Sequence, residues 1–254
     1  MHNLSPVLAI EDLTVRYAQQ PRPTLNRLSL ELGVGQWNCI LGQSGCGKTT
    51  LLKYLAGLLP AECEINGGLQ AQAGSGLSGN IAYMAQQDLL LPWLSVLDNV
   101  CLAARLKKQT SQQVITKAKH LIELVGLSSA IHHKPQQLSG GMRQRVALAR
   151  TLLQDKSVVL MDEPFSALDA VTRHQLQQLS HQLLAGKTVL LITHDPAEAC
   201  RLADRLFILE KSLEKSATRL ESLDLPATPT PRDYDQATTA LHNQIFARLG
   251  ARHA

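Results

Sequence analysis

The chain has 254 residues, 44% of them apolar and 4% aromatic, with a formal net charge of +4 from 25 basic and 21 acidic side chains. That length and apolar content suit one large α/β domain, or a large domain with a small one packed on it, cored by Leu, Val, Ile and Ala. The charge imbalance is weak and its densest basic spot is only Lys107-Lys108, which argues against nucleic acid as a partner.

Residues 7–17 mix β-branched and alternating apolar side chains and predict a strand; 28–32 alternate again as Leu-Ser-Leu-Glu-Leu. Residues 19–23 carry two prolines and predict a turn between them. Trp37–Leu41 is a short apolar strand ending at Gly42, and a helix is expected from about Lys48 through Leu58. Residues 67–79 are rich in Gly, Ser, Ala and Gln and predict a loop. Helical spacing covers 96–106 and 111–125, and Ser139 is placed to cap a helix over Gly140–Leu153. Then come a strand at 157–161, a helix at 171–184, a strand at Thr188–Thr193, a helix at 196–203 and a strand at 205–209. Such alternation implies a largely parallel sheet covered by helices. Pro226, Pro229 and Pro231 mark a linker before a short helix over 236–249, while 210–222 carry no readable motif.

Gly42-Gln43-Ser44-Gly45-Cys46-Gly47-Lys48-Thr49 fits the pattern G-x-x-x-x-G-K-[ST]. Its glycines let the backbone fold so that successive N–H groups face phosphates, and the following helix aims its positive end at the same anion. Lys48 would reach the β and γ phosphates of a nucleoside triphosphate, and the Thr49 hydroxyl would ligate Mg²⁺. Thr50 extends the same nucleotide-binding set. Cys46 is expected to be a small filler, and an adduct on it would leave no room beside phosphate, so thiol reagents should inhibit and ATP should protect. Downstream, Val158-Val159-Leu160-Met161-Asp162-Glu163 is an apolar strand delivering acids at its carboxyl end, where ligands bind in parallel sheets. Asp162 suits Mg²⁺, and Glu163 suits the polarisation of an attacking water.

Leu138-Ser139-Gly140-Gly141-Met142-Arg143-Gln144-Arg145 resembles the signature motif of ATP-binding cassette (ABC) ATPases. The resemblance implies that Ser139, Gly140 and Gly141 bind the γ-phosphate of a nucleotide held by another copy. It places Tyr17 on the adenine, and His194, within Ile192-Thr193-His194-Asp195, on the γ-phosphate. Gln86, in Tyr83-Met84-Ala85-Gln86-Gln87-Asp88, matches the glutamine that approaches Mg²⁺ and the attacking water, with Gln87 an adjacent competitor. Ser166-Ala167-Leu168-Asp169 matches the loop that crosses the dimer interface. The implied fold is α/β: a P-loop NTPase core with a mostly parallel sheet, an N-terminal antiparallel β subdomain and a helical signature-motif subdomain. The likeness covers residues 7–210, with the helical subdomain at about 88–155, and leaves 211–254 as a C-terminal extension.

If the signature acts in trans, the implied assembly is a homodimer with ATP between its copies. The strip from Leu89 to Val100, with Leu91-Pro92-Trp93 and Leu97-Asp98-Asn99-Val100, resembles cassettes of bacterial importers for nitrate, taurine, alkanesulfonates and thiamine pyrimidine precursors. There it docks transmembrane permease subunits; the competing reading is a buried core segment. A periplasmic substrate-binding protein would be an indirect partner. Five scattered cysteines without a CxxC pair suggest reduced cytosolic thiols, and residues 1–6 lack the pattern of a secretory leader. No apolar stretch approaches the ~20 residues a spanning helix needs, so the expected place is the cytoplasmic face of the inner membrane, held there by the permease. The rival functions are an exporter cassette and a soluble cassette ATPase outside transport.

Overall fold

A computed structural model describes residues 8–71, 79–211, 218–233 and 235–250. In chain order the elements are β1 (Leu8–Arg16), β2 (Leu25–Leu32), β3 (Trp37–Leu41), α1 (Lys48–Leu55), β4 (Glu64–Ala71), β5 (Ile81–Met84), α2 (Val96–Val100), α3 (Leu102–Leu106), α4 (Gln112–Leu124), α5 (Gly140–Leu153), β6 (Val158–Asp162), α6 (Ala170–Leu183), β7 (Thr188–Thr193), α7 (Pro196–Leu202), β8 (Arg205–Lys211), β9 (Thr218–Leu223) and α8 (Gln236–Gly250). They fall into two compact units, Met1–Ile81 with Gly186–Ala254, and Ala82–Ala185.

In the first unit, β1 lies between β2 and β4 in an antiparallel sheet. The Leu-Ser-Leu-Glu-Leu alternation puts Leu28, Leu30 and Leu32 inward, with Ile10 paired to Leu30 on one side and to Leu69 on the other. A second sheet sets β3 between β7 and β8, parallel to both, and ends with β9 antiparallel to β8. Every residue of β3 and β7 is buried, which explains why these strands read as mostly apolar runs rather than as alternating ones.

The second unit places β5 beside β6 and packs α5 against α2 and α4. Helices α2, α4, α5 and α6 start on side-chain caps: Ser95, Ser111, Ser139 and Asp169 each accept a hydrogen bond from the amide three residues on.

Three expectations change. The loop expected over 67–79 begins as strand β4, which reaches Ala71; residues 72–78 lie outside the described residues. Gly67, at φ +103°, faces a bulge in β1, and a Cβ on it would stand 2.7 Å from the carbonyls of Glu11 and Asp12, so this glycine marks a close strand approach. The helix expected over 96–106 divides at Cys101 (ψ 1°), after a Val-Leu-Asp-Asn-Val run in which only Leu97 is a strong helix former. The helix expected to reach Leu58 stops at Leu55, because Gly57 turns left-handed (φ +68°) and the Leu58 amide donates back to the Lys53 carbonyl.

Candidate functional site

In the first unit, the buried strand β3 ends at Leu41 and the chain turns through Gly42–Gly47 into α1. Two glycines here are demanded by the chain's own packing. A Cβ on Gly42 would stand 2.5 Å from the Leu209 carbonyl oxygen and 2.8 Å from Cys46 Sγ. One on Gly47, at φ +109°, would stand 2.6 Å from Leu25 Cδ2. Gly47 caps α1 without a side-chain hydrogen bond, and the first turn carries no acid. The helix amides therefore face out of the loop without an internal acceptor from a cap, as an anion site requires.

Lys48 is 7% exposed and its ammonium stays inside the loop, donating to the Gly42 carbonyl at 2.6 Å and the Gln43 carbonyl at 2.9 Å. Gln43, Ser44 and Gly45 are exposed, as is Thr49, whereas Thr50 is buried. Thr50 Oγ1 lies 3.3 Å from the Tyr17 hydroxyl, so the aromatic ring after β1 is tethered to α1. His194 is exposed between β7 and α7, directly before Asp195, whose carboxylate caps α7 by accepting from the Ala197 amide at 2.9 Å.

In the second unit, β6 delivers Asp162, 2% exposed, at its carboxyl end. Glu163 follows at φ +50°, a left-handed turn that swings its carboxylate away from the strand direction. Gln86 Nε2 donates to Glu163 Oε2 at 3.1 Å, so of the two neighbouring glutamines Gln86 is the one joined to the acid. Ser166 Oγ donates to the Glu163 carbonyl at 3.0 Å and fixes the turn that follows. Burial pushes the Tyr83 hydroxyl up to about 12, and the negative Asp162 adds to that. The carboxylate and amide oxygens of Asp162 and Gln86 in this unit are hard donors of the kind Mg²⁺ takes, as is the Thr49 hydroxyl of the first unit taken by itself.

The Ser139 hydroxyl accepts from the Met142 amide at 3.2 Å and opens α5. Ser139 and Gly140 are exposed, and a Cβ on Gly140 would meet nothing nearer than Arg143 NH2 at 3.9 Å. On Gly141 it would make ordinary contact with the Ala167 carbonyl at 3.4 Å. Among the described residues, nothing inside the chain requires these two glycines.

The strip from Leu89 to Val100 divides: Leu89 is 58% and Trp93 67% exposed, whereas Val96 and Val100 belong to the core. It is held from behind by residues that periodicity alone does not single out. Buried Asn99 donates to the carbonyls of Leu91, Leu94 and Ser95 at 3.2, 3.2 and 3.0 Å and accepts from the Leu91 amide at 2.8 Å. From α5, Arg143 Nε donates to Asp88 Oδ2 at 2.9 Å, and Arg150 donates to the carbonyls of Asp88 and Leu89. The available signal was a polar residue, Asn99, at an inward position of α2.

The Cys46 thiol is buried against Lys48, and burial pushes its pKa up while the Lys48 ammonium pulls it down by less. Alkylation of Cys46 by a maleimide should therefore lag that of the more exposed Cys63. Its rate should keep climbing with pH beyond the point where an exposed thiol levels off. ATP should slow it, and any inhibition should disappear in Cys46→Ala; rate-versus-pH labelling followed by mass spectrometry checks all three.

The chain matches the model of the ABC transporter family over residues 25–166. It is 44% identical to an uncharacterised ABC transporter ATP-binding protein of Haemophilus influenzae, covering 96% of this chain and 99% of that protein. It is 42% identical to the taurine import ATP-binding protein TauB of Chromobacterium violaceum, covering 80% and 78% of the two chains. Identity to the aliphatic sulfonates import ATP-binding protein SsuB 1 of Paracoccus denitrificans is 36%, covering 97% and 95%. Among solved structures, a dimeric bacterial ABC transporter cassette is similar with a TM-score of 0.73 at 30% identity, covering 85% of this chain and 99% of that one. A dimeric cassette in a post-hydrolysis state bound to ADP and Pi gives 0.72 at the same identity and coverage.

Proposed function

This chain belongs to the ABC transporter family, and from that premise we propose that it is the ATP-binding and hydrolysing subunit of an importer for a small solute of the taurine or aliphatic-sulfonate type. The observation that carries the ATPase reading is the Gly42–Gly47 turn, whose Gly42 and Gly47 are imposed by packing while the amides of α1 are left without a side-chain cap. Two relatives named for taurine and sulfonate import, each matched over most of its length, support the import reading.

The loop Gly42, Gln43, Ser44, Gly45, Cys46, Gly47 wraps the ATP phosphates with backbone amides, and Lys48 exchanges its carbonyl partners for phosphate oxygens. Tyr17, steadied by Thr50, stacks on adenine. Thr49, Asp162 and Gln86 would hold Mg²⁺, which would supply positive charge to neutralise the phosphates. Glu163, held by Gln86, takes a proton from the attacking water, and His194 donates to the γ-phosphate. Ser139, Gly140 and Gly141 close on the nucleotide of a second copy, so hydrolysis requires a homodimer. The dimer of the similar cassettes supports that reading.

The partner that receives the motion is a transmembrane permease, and Leu89 and Trp93 are the exposed apolar side chains offered to it. Among the described residues no helix is long and apolar enough to cross a membrane. The subunit sits at the cytoplasmic face of the inner membrane, peripheral through the permease, and a periplasmic binding protein supplies the solute.

The test is Mg²⁺-dependent phosphate release by the purified chain, abolished by chelation, together with co-purification of a membrane permease. Trp93→Ala should weaken permease capture by about 30-fold, the effect of losing a 2 kcal/mol anchor. Its melting temperature should stay unchanged, because Trp93 is mostly exposed. Undiminished capture would remove Trp93 from the docking surface.

A further inference from the structure

We propose that Arg232, from the C-terminal extension, is a positioning residue for His194, acting through α7. This rests on the role given to His194 above.

Helix α7 has only seven residues, too few to be stable by itself. Both its ends are held by side chains. At the start, the Asp195 amide donates to Thr193 Oγ1 at 3.0 Å, and Thr193 Oγ1 in turn donates to Glu198 on the first turn. His194 lies inside this knot, between strand and cap.

At the other end stands Arg232, 5% exposed. Its NH1 donates to the carbonyls of Cys200 and Ala203, at 3.1 and 2.6 Å, which are terminal acceptors of α7. NH2 donates to the Pro226 carbonyl at 3.1 Å, and Nε to Thr228 Oγ1 at 3.1 Å. The backbone closes the ring: the Arg232 amide donates to the Arg201 carbonyl at 2.8 Å, and Arg201 NH1 donates to the Arg232 carbonyl at 3.0 Å. Thr230 Oγ1 adds a bond to Asp204 Oδ1 at 2.8 Å, while Asp204 Oδ2 accepts from the Trp37 amide, at the root of β3, at 2.8 Å.

A cation at a helix C-terminus, satisfied by the orphan carbonyls there, is favourable electrostatics and good accounting of buried donors. Burial lowers the Arg232 pKa while Asp204 and, less, Asp235 oppose that, which fits a guanidinium buried among carbonyls. The residues 226–232 therefore act as a clasp rather than a loose linker. Helix α7 spans about 10 Å, so a rod fixed at its far end fixes the backbone next to His194. Release of Arg232 lets the rod tilt, and the imidazole loses its aim without losing its chemistry.

The experiment uses the full-length chain with Arg232→Met, Arg232→Lys and Thr230→Val, each also combined with His194→Ala. Arg232→Met should lower kcat about tenfold with KM for ATP within about twofold, since aim rather than ground-state binding is lost. Arg232→Lys should recover part of the rate. Amide exchange should accelerate in α7 while β3 stays protected. In the His194→Ala background, Arg232→Met should cost nothing further. Effects of the two substitutions that multiply would overturn the proposal and leave His194 in its role. Wild-type kcat in His194→Ala would overturn that role and this proposal with it. Should Arg232→Met fail to fold, Thr230→Val and Arg232→Lys carry the same cycle; wild-type kcat in both, with faster α7 exchange, also overturns it.

Discussion

Glu163→Gln is expected to lower ATP turnover at least about a hundredfold while ATP affinity stays within about twofold. The substitution is isosteric and keeps the local geometry. Gln86 donates to Glu163 Oε2 at 3.1 Å, and the amide oxygen of a glutamine can accept the same bond. The left-handed turn at Glu163 is a backbone property, fixed by Ser166 donating to the Glu163 carbonyl, and it survives the change. What is lost is a basic oxygen that can take a proton from water. An enzyme with nucleotide held and water unactivated should accumulate as an ATP-bound dimer. Phosphate release and size-exclusion chromatography with ATP read both consequences. Wild-type turnover would show that the base lies elsewhere.

What was legible in the sequence was what local chemistry decides. Gly42 to Thr49 sit within eight residues, so strand, turn and helix announce themselves together. Ser139 caps α5 through an amide three residues away, and Asp195 caps α7 through one two residues away. What was not legible depends on partners far along the chain. Gly67 looked like loop because its reason is β1, more than fifty residues earlier. Strand β9 has no pattern of its own and exists because Leu206 to Lys211 offers an edge to pair with. The hydrogen bond of Gln86 to an acid depends on Glu163, some eighty residues downstream. Three prolines disguised a clasp as a linker, because Arg232 shows its purpose only against the carbonyls of α7. Leu89 and Trp93 also allowed a core reading, because their exposure depends on Asn99 and Arg150, which hold the backbone of Leu91 and Leu89 from behind.

Gly140→Ala is expected to lower ATP turnover about a hundredfold without destabilising the fold, the signature of a close approach spoiled from outside the chain. The contrast with the phosphate loop carries the argument. At Gly42 and Gly47 an added Cβ would collide at 2.5 and 2.6 Å, so those glycines are explained by this chain alone. At Gly140 the nearest atom is 3.9 Å away and belongs to a flexible arginine. Alanine is also the better helix former, by up to about 1 kcal/mol in a helix interior, so at the first position of α5 the melting temperature should hold or rise. A residue that costs helix stability and is not needed for packing is there for something that approaches its bare backbone. In the proposed dimer that visitor is the γ-phosphate bound to the other copy, where a methyl group would push the phosphate off Ser139 and the α5 amides. A heterodimer with one Gly140→Ala subunit should lose one of its two sites, and the lost site should be the one whose phosphate loop lies on the unmutated chain. Full activity with an unchanged melting temperature would mean that Gly140 faces solvent throughout the cycle, and the shared site would have to be given up.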